Sequence, residues 1–107
     1  MANLTDALAL AMENHHEFRD DFIAWLNANF PIFEYFERAA QHIFNTGRNH
    51  YSARTIVEVM RHRTALREIG DGSWKLNNDR TPDMARLYIL LHPEQEGFFE
   101  LRGRKAA

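Results

Sequence analysis

The 107-residue sequence contains no cysteine. That absence excludes a disulfide framework, a thiolate metal site and a cysteine nucleophile, and it fits a reducing compartment. Serine is nearly as scarce, with Ser52 and Ser73 alone, and both are better explained as a helix cap and a hairpin residue than as nucleophiles. No Gly-x-Ser-x-Gly elbow, phosphate-binding loop or dinucleotide-binding glycine motif is present. No apolar run approaches the roughly 20 residues that cross a bilayer. The N-terminus, MANLTDALALAMENHHEF, has neither a basic n-region nor an uninterrupted apolar h-region, so no secretory signal is expected. Together these absences predict a cytoplasmic, non-enzymatic protein that uses no cofactor and has no membrane partner.

What is present suffices for one core. Apolar residues make up 45% of the chain and aromatic residues 12%, eight of them Phe. At this length the expectation is a single domain, with 1–29 as a helical extension, 30–102 as the core and 103–107 as a frayed tail.

Apolar residues Leu4, Leu8, Ala11, Phe18, Phe22, Trp25 and Leu26 form a stripe at helical spacing. The stripe predicts a helix over 3–29, capped by Asn3 or Thr5, as one piece or as two broken near Asn14-His15-His16. Pro31 opens a second helix to Asn45 with Ile32, Phe33, Phe36, Ala40 and Ile43 inward, and Gly47 suits its C-terminal cap. Ser52 is an N-cap for a third helix over 52–63, with Ala53, Ile56, Val57, Val59 and Met60 inward. Gly70-Asp71-Gly72 signals a tight hairpin joining strands at 65–69 and 73–77. Thr81 caps a fourth helix, 82–92, apolar almost all round. Phe98, Phe99 and Leu101 suit a third strand over 97–101. The expected fold is therefore α+β, mainly helical and winged-helix-like.

The overall charge of −2 hides an asymmetry. Residues 1–46 carry seven acids against two arginines, a balance of −5, whereas 47–107 carry eleven Arg or Lys against eight acids, a balance of +3. From 48 to 68 there are five arginines against Glu58 and Glu68, with His50 and His62 beside them. Phosphates need cations and hydrogen-bond donors on one face, and base edges need side chains that reach them. The expected nucleic-acid interface has Arg54, Arg61 and His62 on the third helix. Arg48 and His50 precede that helix, and Arg67, Lys75 and Asn77 lie on the wing. Glu58 interrupts this face unless it orients Arg54 or His62. The competing reading is a solvated helix face, which the sequence pI near 6.3 favours.

Other constellations are weaker. Glu13, His16 and Asp20 share helical spacing, but a zinc site needs three or four convergent ligands with supporting partners, so no metal site is expected. Arg86, alone among apolar neighbours, predicts a partner such as Asp79, Asp83 or a backbone carbonyl. The aromatic set of the first two helices suits a core, and any ring left exposed would favour a homodimer or a protein partner. The alternative function is thus a protein-interaction module acting through the acidic half, where Glu17, Asp20 and Asp21 cluster. A phage-encoded inhibitor of a bacterial defence complex is one example.

Four segments, GRNHYSARTIVEVMR, SWKLNND, ARLYILLHP and GFFELR, resemble those of a family of small, largely uncharacterised bacterial and prophage-associated proteins. The resemblance covers about the last two thirds of the chain, from near Phe33, and leaves 1–29 outside. It implies a common fold and a bacterial or mobile-element setting, and it transfers no functional site. One departure is His62, where the family pattern leads one to expect an aromatic residue.

Overall fold

Asn3 begins the first helix by accepting a hydrogen bond on its side chain from the Asp6 N–H at 2.8 Å, which satisfies a donor the first turn would otherwise leave open. A computed structural model describes residues 2–67 and 80–100, with backbone alone over 64–67. Five α-helices lie within them: α1 (Leu4–Glu13), α2 (Phe22–Ala28), α3 (Phe30–Asn45), α4 (Ala53–Arg67) and α5 (Arg80–Leu91). Short 3₁₀ turns occupy His15–Glu17 and Pro93–Gln95.

The N-terminal stripe is broken at Asn14, whose side chain donates to the Leu10 carbonyl at 2.9 Å. Such local side-chain bonding competes with continuation of the helix. Pro31 sits in the first turn of α3, where the missing N–H costs nothing. Gly47 follows the end of α3 at φ +99° and donates to the Phe44 carbonyl at 3.0 Å, a conformation that glycine alone adopts without strain. Ser52 caps α4 by accepting from the Thr55 N–H at 3.2 Å.

The winged-helix expectation is overturned, because the described residues contain no strand and no sheet. The proposed first strand, 65–69, begins within α4, which stays helical through Arg67. Thr64-Ala65-Leu66-Arg67 supplies no helix breaker, so the helix continues past Arg63. Phe98 and Phe99 make only an isolated parallel bridge, Tyr51 to Phe99. Both rings are buried, whereas neighbours in a one-sided strand point to opposite faces. Gly70-Asp71-Gly72 and the strand at 73–77 lie outside the described residues.

The core is aromatic and central. Phe36 of α3, Tyr88 of α5 and Phe99 form a triangle with centroid separations of 6.4, 5.5 and 5.6 Å. Such pairs add to the area they bury. Ala7 and Ala11 are fully buried, and these small residues let α1 approach α2 and α5 closely. Helix α5 starts at Arg80, so Thr81 is a buried residue of its first turn and not its cap. Val59, expected inward, is 47% exposed.

Candidate functional site

The loop before α4 is pinned to the segment after α5. His50 Nδ1 donates to the Gly97 carbonyl at 3.1 Å, which turns Nε2 away from that bond. The Tyr51 N–H donates to the Phe98 carbonyl at 2.9 Å, and the Arg48 guanidinium lies 5.4 Å from the Tyr51 ring centroid. Cation–ring contact of this kind holds both groups in place.

Two clefts meet at Tyr51. The first, about 680 Å³, lies between the N-terminal turns of α4 and α5 and is lined by Arg48, His50, Tyr51, Arg54, Thr81 and Arg86, among others. The positive end of the α4 macrodipole adds to that charge. Glu100 is the one acid on its wall among the described residues. Thr81 is 8% exposed, and its Oγ1 has no hydrogen-bond partner among the described residues. The second cleft, about 630 Å³, runs between α3 and α4. Ile56, Met60 and Ala39 line it with Tyr35 and Tyr51, together with Arg38, His42 and Arg63. Arg63 Nη1 donates to the Tyr35 hydroxyl at 3.3 Å.

Of the expected interface residues, Arg48, His50 and Arg54 come together in the first cleft. Arg61 and His62 line neither cleft. The Arg67 side chain, Lys75 and Asn77 lie outside the described residues. Glu58 sits 3.6 Å from Arg54 in an exposed i,i+4 pair, a weak contact that a stronger anion can displace. Arg38, His42 and Arg63 escape the reading of one helix at a time. Their signal is the i,i+4 repeat of Arg38 with His42 and of Val59 with Arg63, which marks one edge on each helix.

The acidic half is partly spent on internal contacts. Arg80 grips Asp21 with both Nη atoms, at 2.9 and 3.0 Å, and Glu17 faces Arg86 at 3.7 Å. The Arg80 hydrogen bonds hold the Asp21 carboxyl below its ordinary pKa, because they favour the charged form. A depressed carboxyl pKa adds stability at neutral pH that is lost as pH falls through the acid range. The Arg80→Gln variant is therefore expected to return the Asp21 pKa toward 3.8, measured by an NMR titration of the side-chain carboxyl carbon. An unchanged titration would refute the role given to Arg80.

No group of three or more His, Asp or Glu side chains among the described residues is placed to hold a metal ion. Among the same residues no helix is long and apolar enough to cross a membrane. No protein-family model, curated protein or solved structure matches the chain.

Proposed function

We propose that the protein is a non-enzymatic nucleic-acid binder whose interface is the face around Tyr51. One observation carries this reading. Arg48 and Arg54 in one cleft and Arg38 and Arg63 in the other flank Tyr51, with Glu100 the one acidic wall residue among those described. Cations in two clefts that meet at one ring, with recessed apolar ground beside it, suit phosphates bearing attached bases. The bacterial or prophage setting suggested by the segment resemblance belongs to the same proposal. The acidic-face alternative is weaker, since Glu17 and Asp21 are engaged by Arg86 and Arg80.

The test is fluorescence anisotropy with labelled single-stranded and duplex DNA across a salt series. Affinity is expected to fall steeply with salt. The double variant Arg48→Gln/Arg54→Gln is expected to flatten the log–log slope for duplex by roughly 2, one unit for each phosphate that is no longer neutralised. Binding to neither form at low salt, or a slope untouched by the double variant, would overturn the reading.

A further inference from the structure

The second cleft is floored by the buried apolar side chains of Ile56 and Met60, which is more than phosphate binding requires. A duplex keeps its bases stacked inside and meets proteins first with phosphates, so its base edges are reached only by elements that project into a groove. A concave surface with an apolar floor offers little to that shape. Unpaired nucleotides are different, because each carries a flat apolar face and a flexible backbone that lets the face turn inward.

The tyrosines stand where such faces would arrive. Tyr51 lines both clefts and is partly exposed, with Arg48 against its ring. Tyr35 lines the second cleft and is also partly exposed, and Arg63 holds its hydroxyl. Each cleft thus pairs an aromatic ring with an arginine fixed beside it. Arg54 and Arg63 are about 14 Å apart along α4 and half a turn apart around it, so a strand reaching both clefts would pass around the N-terminal end of α4, where Tyr51 lines both.

We infer that the ligand class is single-stranded nucleic acid, with bases stacking on Tyr51 and Tyr35 and phosphates meeting Arg48, Arg54, Arg38 and Arg63. This rests on the basic-face reading above and adds strandedness to it. Ribose and deoxyribose strands share the chemistry invoked here, and the experiment separates them.

The experiment measures anisotropy of labelled single-stranded DNA, single-stranded RNA and duplex DNA of one length, with polyglutamate as a competing polyanion. Wild type is expected to bind a single strand more tightly than duplex and to release it poorly to polyglutamate. Tyr51→Leu is expected to weaken single-strand binding roughly 5- to 100-fold, as removal of one stacked base does, and to weaken duplex binding far less. Tyr51→Phe keeps the ring and is expected to retain affinity. Whichever of DNA or RNA binds more tightly is the strand type, and either result supports the inference. Equal affinity for single strand and duplex, no effect of a folded Tyr51→Leu, or competition by polyglutamate at equal charge would sink the stacking inference while leaving the basic face intact. Absence of salt-dependent binding to every probe would sink both. Should Tyr51→Leu fail to melt cooperatively, Tyr35→Leu carries the same comparison in the second cleft.

Discussion

Replacing His92 by leucine is expected to destabilise the fold by about 3–5 kcal/mol, the range seen when one partner of a buried pair is removed. The reason lies with its partner. Glu37 on α3 is fully buried, and its Oε2 is 2.7 Å from His92 Nε2. The Ala2 N–H approaches the same oxygen only at 3.5 Å, and Oε1 has no hydrogen-bond partner among the described residues. Without the imidazole, the carboxylate keeps its desolvation cost and is deprived of its best donor. Chemical denaturation at neutral pH measures the loss.

The double variant Glu37→Met/His92→Leu is expected to recover most of that loss, since apolar residues of similar volume replace buried pairs at little cost. A His92→Leu protein as stable as wild type, or a double variant as unstable as the single, would show that the pair does not hold α3 to the end of α5. The neighbouring network stays in both variants. The Tyr88 ring lies 4.4 Å from His92, and burial raises the Tyr88 pKa to about 12, so the hydroxyl remains a donor at any physiological pH. Its one proton goes to Gln95 Oε1 at 2.6 Å, the shorter of its contacts, and Gln95 in turn donates to Gln41 at 3.1 Å.

Local devices were legible in the sequence because each is decided within a few residues. Asn3, Pro31, Gly47 and Ser52 act on the turn beside them, and the stripe of Phe22, Leu26, Phe33 and Phe36 is fixed by helical spacing. The pieces that failed depend on partners distant in sequence. Glu37 shares a side of α3 with Phe33 and Ala40, but only His92, 55 residues away, gives a buried carboxylate there a reason. Phe98 and Phe99 suggest a strand from β propensity, yet their rings complete a core that α3 and α5 had already begun. Val59 sits on the apolar side of a helical wheel. Which edge of that side meets α3 is set by how α3 and α4 pack, and that packing opens the second cleft beside it. The candidate interface divides on the same principle. Arg48, His50 and Arg54 are near in sequence and near in space, whereas Arg38, His42 and Arg63 join them only through the tertiary fold.

Arg86→Met is expected to cost about 3 kcal/mol, at the low end for a buried pair because Glu17 is partly solvated. Arg86 is 5% exposed. Its Nη1 donates to the Glu17 carbonyl at 3.3 Å and lies 3.9 Å from Asp83 Oδ1, while Nε faces the Glu17 carboxylate at 3.7 Å. One planar fork therefore ties the 3₁₀ turn at 15–17 to α5 and lies beside Asp83, which is 1% exposed. Arg86→Lys is expected to recover little, since a single ammonium cannot serve a carbonyl and two carboxylates lying in different directions. Full stability in either variant, measured by chemical denaturation, would refute this. Arg86 also lines the first cleft, which permits a sharper separation of roles. Its guanidinium already serves Glu17 and Asp83, so it forms wall and not phosphate contact. Binding by the folded fraction of Arg86→Met is then expected to keep the wild-type salt slope, in contrast to Arg48→Gln/Arg54→Gln, and a slope lowered by about 1 would place Arg86 among the phosphate contacts instead.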